Sequence, residues 1–358
     1  MTYILGMTFT TQNVSFSPMM LKLVREQAGE SQEVVAEAVG VKQSQLCKYE
    51  KGQATPSDGA LENIASHFGY TREYFLRDYE DVASGLVFHR KRASLTAKER
   101  DRIEAEARLR VIDLAVLARP EAETKLPARE GRSPAEMAQC VREAWKIPAG
   151  PINELALALE SHAVLILYFD FGTTKIDGFF MPRYAGSKFI SIALNANDAI
   201  GDDRRRFTLA HELGHAVLHG DSFPDENTER EADAFASEFL MPSEDIREDL
   251  MAPMTWTHLT AMKRKWGVSM AALVHRAGEL GLQKEAALKR TWVYLASLGY
   301  KKKEPDCDVT LDLPQGTVKM LCRLLKKMGP GAFREMGLTK EKFVERYPYF
   351  VFSGGESP

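Results

Sequence analysis

The chain is poor in cysteine, has no long apolar run and carries no excess of positive charge, and each shortage argues against a class of protein. Its four cysteines, Cys47, Cys140, Cys307 and Cys322, are scattered without paired spacing. That argues against a metal knuckle or a disulfide framework and for reduced, structural thiols. No stretch approaches the roughly 18 apolar residues of a membrane-spanning helix. The opening Met1-Thr2-Tyr3-Ile4-Leu5-Gly6 lacks the basic region, apolar stretch and small-residue cleavage site of a secretory signal, so the expected location is cytoplasmic, with no membrane partner. A formal net charge of −3 advertises no global affinity for nucleic acid, so any DNA contact must come from a local surface.

With 44% hydrophobic and 27% charged residues, the 358-residue chain is composed as a folded protein with room for two or three cores. From Pro18 to Asp78 it reads as short helices separated by Gly29, Gly40 and the turn Gly52-Gln53-Ala54-Thr55-Pro56-Ser57. A basic stretch follows, His89-Arg90-Lys91-Arg92, and then Thr96-Ala97-Lys98-Glu99, which has the spacing of a capping box opening a long helix. Residues 120–133 are rich in Pro, Glu and Arg, and a second domain is expected to begin near Ser133. Its first helix, Pro134 to Trp145, precedes Pro148-Ala149-Gly150-Pro151. Three strand candidates, Ala163–Phe169, Gly178–Met181 and Lys188–Leu194, are rich in β-branched or aromatic residues and bounded by turn formers. From Trp256 onward the chain reads as helical, with Lys301-Lys302-Lys303 and Lys326-Lys327 taken as solvated helix faces. The expected division is an all-α module over 18–78, a basic linker and connecting helix over 84–132, an α+β domain over 133–250 and a helical C-terminal region over 251–358.

The chemistry concentrates in Arg206-Phe207-Thr208-Leu209-Ala210-His211-Glu212-Leu213-Gly214-His215. Its apolar positions suit a helix, on which His211 and His215 lie one turn apart on one face. Two imidazoles so spaced can hold one Zn²⁺, and Glu212 is placed to act as general base on water. His219 lies eight residues past His211, roughly 12 Å along a helix axis, too far for the same ion. A satisfied or surface histidine is the reading for it. The third ligand is sought in Glu229-Arg230-Glu231-Ala232-Asp233, where Glu229 and Glu231 both qualify by type. Glu229 is preferred because Asp233, one turn on, can accept the other ring N–H of a ligating histidine. Two histidines and a carboxylate accept Mn²⁺ or Fe²⁺ as well as Zn²⁺.

These residues, followed by Glu229-x-x-Ala232-Asp233-x-Phe235-Ala236 and Leu240-Met241-Pro242, resemble the ImmA/IrrE metallo-endopeptidases over about 110 residues. The resemblance implies a gluzincin-like α+β fold, with His211, His215 and Glu229 as ligands, Glu212 as the catalytic base and Asp233 behind a ligand. Many relatives have Asn at the position of Asp233. It also implies a substrate class, a transcriptional repressor whose cleavage releases genes of stress response or mobile elements. Leu259 to Arg276, with Trp266-Gly267-Val268-Ser269-Met270, resembles the helical segment that often follows this core, and its apolar residues read as packing.

In the all-α module, Ser31 is placed as an N-cap and Gly40 as the turn between two helices, the geometry by which a second helix enters the major groove. Gln43, Ser44, Gln45 and Lys48 would be exposed there, with chemistry suited to base and phosphate contacts. Ser31 through Gly52 resembles the phage-repressor-like (XRE) helix-turn-helix family, which implies that Gln32 and Gln43 begin the two helices and help grip double-stranded DNA. Residues Met20 to Lys51 balance five basic against five acidic side chains. Such a module would bind weakly as a monomer and would gain from homodimerisation or from the basic stretch after Ser84. Two functions remain open at this point: a repressor-cleaving metalloprotease brought to DNA by its own helix-turn-helix, and a non-catalytic, antitoxin-like transcriptional regulator whose metal domain senses.

Overall fold

Serine side chains start the first helices. Ser17, Ser31 and Ser57 each accept a hydrogen bond from the backbone N–H three residues on, opening α1 (Pro18–Ala28), α2 (Gln32–Val39) and α4 (Asp58–Phe68). Between α2 and α3 (Gln43–Glu50) the chain turns through Gly40 at φ 75°, which a side-chain-bearing residue would resist. Met20, Leu21, Val24, Val35, Val39, Leu46, Leu61 and Ile64 are buried together, and a 3₁₀ turn, Arg72–Leu76, adds Tyr74 and Phe75. The computed structural model describes residues 15–76, 95–115, 123–181, 189–220 and 225–300, and within 304–347 the stretches 304–305, 309–312, 314, 319, 322 and 336–347. His89-Arg90-Lys91-Arg92, Lys301-Lys302-Lys303, Lys326-Lys327 and Cys307 lie outside the described residues.

The helix-turn-helix does not stand apart. Thr96 and Glu99 form the expected reciprocal cap, with Glu99 Oε2 accepting from Thr96 N at 2.7 Å, and α5 (Ala97–Ala115) follows. Ile103, Ala107, Leu109, Val111, Ile112 and Leu114 are all buried, because α5 is covered by α1 on one side and by the sheet on the other. Arg102 donates to the Phe171 carbonyl, Lys175 pairs with Glu99 at 3.0 Å, and the Arg110 guanidinium lies 4.9 Å over the Phe169 ring. The Thr96 backbone N–H, then Lys175 and the Thr96 hydroxyl, hold the partly exposed Glu99 carboxyl down at about 2.

The sheet has three strands in the order β1 (Val164–Phe169), β3 (Ile190–Asn195), β2 (Gly178–Met181), β1 parallel and β2 antiparallel to the central β3. Its side chains alternate between two cores, as the two-residue strand period dictates. Leu165, Leu167, Phe169, Phe179, Met181 and Ala193 join the core of α5 and the helix-turn-helix. Val164, Ile166, Phe180, Ile190, Ile192 and Leu194 face a second, larger core. That core is built from α6 (Pro134–Ala144), α7 (Leu155–Glu160), α8 (Asp202–Leu218), α9 (Glu226–Leu240), α10 (Ser243–Met251), α11 (Trp256–Trp266), α12 (Met270–Glu279) and part of α13 (Glu285–Ser297). Burial on both faces explains the unbroken apolar run Val164-Leu165-Ile166-Leu167.

The described C-terminal residues return to both cores. Glu304 accepts from Met270 N and Ala271 N at the start of α12, and Asp312 accepts from Ala156 N and Leu157 N at the start of α7. Residues 336–347 lie against the helix-turn-helix: Leu338 forms an antiparallel bridge with Tyr70, Thr71 N donates to Gly337 O at 3.0 Å, and a helix, Lys340–Arg346, packs Phe343 into the first core. No helix among the described residues is long and apolar enough to cross a membrane.

Candidate metal centre and DNA-binding face

Two arginines fix the N-terminal half of α8. Arg205 donates from Nε to Asn195 O at the end of β3, at 3.0 Å. Arg206, buried, reaches Gly267 O at 2.9 Å, Asn153 O at 3.2 Å and the carbonyl of Ile152. The helix therefore enters the second core in one orientation, with His211, Glu212 and His215 all buried.

A glycine sets how near α9 can come. A Cβ at Gly214 would lie 3.0 Å from Phe235 Cδ1 and 3.2 Å from Phe235 Cβ, closer than ordinary carbon contacts. The missing side chain lets α8 and α9 pack closely enough for carboxylates on α9 to reach histidines on α8. Asp225 caps the start of α9, accepting from Asn227 N and Thr228 N, and these bonds hold its carboxyl below the usual range.

The result is a converging cluster. His211 Nε2 and His215 Nε2 lie 3.0 Å apart, Glu229 Oε2 lies 3.6 Å from the first and Glu229 Oε1 3.4 Å from the second. One ligand atom from each of the three residues falls within 4.8 Å of the others. Asp233 Oδ1 is 2.8 Å from His211 Nδ1. A carboxylate only accepts, so the neutral His211 ring carries its proton on Nδ1 and turns the Nε2 lone pair inward. With that lone pair 3.0 Å from His215 Nε2 and beside the Glu229 carboxylate, the cluster offers an N, N, O donor set of the kind that fits a divalent transition metal.

Glu212 stands beside this cluster on α8, and its Oε2 accepts from the backbone N–H of Phe180 at 2.7 Å. The contact orients the carboxylate against edge strand β2. Sequence reading gives no hint of it, since the donor is a main-chain N–H. Glu231 points elsewhere: both its oxygens are taken by Arg129, at 2.7 and 2.9 Å, and Oε2 also meets His219 Nε2 at 2.9 Å. His219 is a satisfied histidine, hydrogen-bonded and nearly buried rather than on the surface. Beside Asp233, whose side chain is 55% exposed, opens a cavity of about 910 Å³ walled by charged side chains such as Asp203, Arg204, Arg205 and Lys263 together with Phe207 and Trp292; His211, Glu212, His215 and Glu229 do not line it.

In the helix-turn-helix α2 begins at Gln32 and α3 at Gln43. Gln43 Nε2 donates to Gln32 Oε1 at 2.9 Å, Gln32 Nε2 donates to Glu50 Oε2 at 2.8 Å, and Arg25 grips both oxygens of Glu50 at 2.5 and 2.9 Å. This chain of bonds ties the start of α3 to α1 and α2. Gln43, Ser44 and Lys48 are exposed and Gln45 partly so, while Leu46 and Tyr49 point into the core. Pairing with Glu50 removes Arg25 from the charge available to a phosphate backbone; Lys42, Lys48 and Lys51 remain exposed around α3.

Residues 159–277 match the family model of the IrrE N-terminal-like domain, Peptidase M78, and residues 21–75 match that of a helix-turn-helix, HTH_3. The chain carries an M78 metallopeptidase domain behind an XRE-type helix-turn-helix. The M78 match takes in β1 to β3, the histidine and glutamate cluster, α11 and α12, so Arg206 and its anchor Gly267 fall in the same domain as His211. A metallopeptidase-like domain, with two histidines and a glutamate that could hold a metal ion, and a helix-turn-helix therefore share one polypeptide. No curated protein matches the chain.

Proposed function

We propose that this M78 protein is a zinc-dependent endopeptidase that cleaves a specific transcriptional repressor or partner protein in the cytoplasm, while its helix-turn-helix holds double-stranded DNA. The observation that carries this reading is the convergence of His211 Nε2, His215 Nε2 and the Glu229 carboxylate beside Glu212. His211, His215 and Glu229 are the residues that would hold the ion, and Asp233 orients His211. Mn²⁺ suits the same donors. A divalent cation there supplies Lewis acidity, lowering the pKa of water to about 7 and polarising a carbonyl.

Glu212 then carries the proton. With Oε2 tethered to Phe180 N–H, the carboxylate takes a proton from the attacking water and returns it to the leaving amine. Burial of both histidines and of Glu212 keeps bulk water from competing for these groups.

Proteolysis is tested by labelling new protein N-termini in a cell extract incubated with the full chain, with and without a chelator. One or a few metal-dependent cleavages, in a DNA-binding protein, are expected; none, or indiscriminate cleavage, contradicts the reading.

On the DNA side we assign Gln43, Ser44 and Gln45 to base edges, Lys48 to phosphate and Gln32 to steadying Gln43. Neutral overall charge in this module favours a dimer on DNA. Anisotropy titrations of a 30-base-pair duplex at several KCl concentrations check the phosphate contact. For Lys48→Ala the slope of log K against log[salt] is expected to fall by about 1 per bound module, and an unchanged slope removes Lys48 from the interface.

A further inference from the structure

Each histidine of the cluster has a second nitrogen, and the two are held differently. His211 Nδ1 meets the Asp233 carboxylate directly. His215 Nδ1 instead faces Nδ1 of His219, at 3.1 Å, across the last turn of α8. His219 Nε2 is 2.9 Å from Glu231 Oε2, and the Arg129 guanidinium donates to both Glu231 oxygens. Arg129 lies ahead of α6, thirty residues before the stretch that matches the M78 model. His219 has a side chain only 6% exposed, so bulk water does not replace these contacts.

The order of groups fixes where the protons sit. A carboxylate has no proton to give, so the neutral His219 ring keeps its N–H on Nε2, toward Glu231, and offers the Nδ1 lone pair to His215. His215 answers with an N–H on Nδ1. Its remaining lone pair, on Nε2, then points at His211 and Glu229.

We propose that Arg129, Glu231 and His219 form a positioning relay that holds His215 in the Nδ1–H tautomer, doing for the second histidine through an intervening imidazole what Asp233 does for the first. The proposal rests on the reading of His215 as a metal ligand. The three relay residues touch neither the ion nor the substrate. Their contribution is to metal affinity, through the orientation and basicity of one ligand.

The test uses the full chain and Zn²⁺ affinity measured by competition with a chromophoric chelator, alongside the melting temperature of the metal-free protein. His219→Phe and Glu231→Gln are each expected to weaken Zn²⁺ binding about 10- to 100-fold, the range seen when such outer partners are lost, and Arg129→Gln by less. Because the groups act in series, His219→Phe/Glu231→Gln should bind no more weakly than His219→Phe alone. His219→Gln, which keeps an acceptor for His215 and a donor for Glu231, should recover most of the loss. Wild-type affinity in both single variants overturns the relay. So does a loss of affinity that follows the metal-free melting temperature and that His219→Gln does not restore, which would be a purely structural role. If His219→Phe does not fold, Glu231→Gln decides by the same comparison. A wild-type chain that binds neither Zn²⁺ nor Mn²⁺ defeats the metal reading itself and the relay with it, an outcome distinct from variants that bind as tightly as wild type.

Discussion

Glu212→Gln is expected to lower kcat/KM for the cleaved protein by about 10²- to 10⁴-fold, the contribution typical of a positioned general acid–base group. The amide has the shape of the carboxylate, and its carbonyl oxygen can still accept from Phe180 N–H, so the β2 contact and the packing of α8 persist. What disappears is the ability to take a proton from water and hand it on. His211, His215 and Glu229 are untouched, so metal content should match wild type. Single-turnover cleavage and metal analysis of one preparation read both. Cleavage within about threefold of wild type would mean that the proton moves by another route and would remove Glu212 from the reaction.

A second large effect is expected in the core shared by α5 and the helix-turn-helix. Asp113 on α5 is fully buried and receives Arg346 Nη1 at 2.5 Å, Tyr74 Oη at 3.1 Å and Tyr347 Oη at 3.4 Å; Arg346 also donates to Tyr70 Oη at 2.5 Å. Burial, and then the neighbouring Asp113 charge, push the Tyr74 and Tyr347 hydroxyls well above the usual tyrosine range, so both remain donors at any ordinary pH. This network joins the helix-turn-helix, α5 and the C-terminal helix at one point. Asp113→Ala leaves the buried Arg346 guanidinium without its hydrogen-bonded counter-charge and with only Glu106, at 3.8 Å, as a carboxylate neighbour, and breaking such a pair from one side typically costs about 3–5 kcal/mol. Urea unfolding should register that loss. Asp113→Leu/Arg346→Met, which removes both charges, should recover much of it, since the burial of charge goes with the pair. A cost below about 1 kcal/mol for Asp113→Ala would mean that the site is wet or its partners rearrange, and that α5 is not locked to the helix-turn-helix.

What could be read from the sequence was local in it. Ser31 and Gly40 mark the ends of α2, Thr96 and Glu99 open α5, and the strands follow Val164 to Phe169 and Gly178 to Met181, because capping chemistry and side-chain period act over four to eight residues. His211, Glu212 and His215 were visible for the same reason, their spacing being that of one helical turn. The choice between Glu229 and Glu231 was narrowed by the four-residue step to Asp233, and the folded chain turns Glu229 toward the histidines and Glu231 toward Arg129.

What escaped was long-range. Arg129 and Glu231 are 102 residues apart, Asp113 and Arg346 are 233 apart, and the Phe180 N–H that orients Glu212 carries no side-chain signature. No periodicity reports such pairs. The sequence likewise reads α5 as a connecting helix, yet its all-round burial makes it the shared wall between the helix-turn-helix and the peptidase sheet. Arg102, Arg110 and Glu99 carry α5 onto the end of β1 and the segment that follows it, whereas β2 and its Glu212 contact lie at the opposite edge of the sheet.

The most direct test of the metal centre is metal content by mass spectrometry on purified wild type beside His211→Ala and Glu229→Ala. About one metal per chain in wild type, lost in both variants, is the predicted result for an ion held by two histidines and a carboxylate. A wild type that stays metal-free after incubation with Zn²⁺ and Mn²⁺, or variants that keep the full complement, would contradict it.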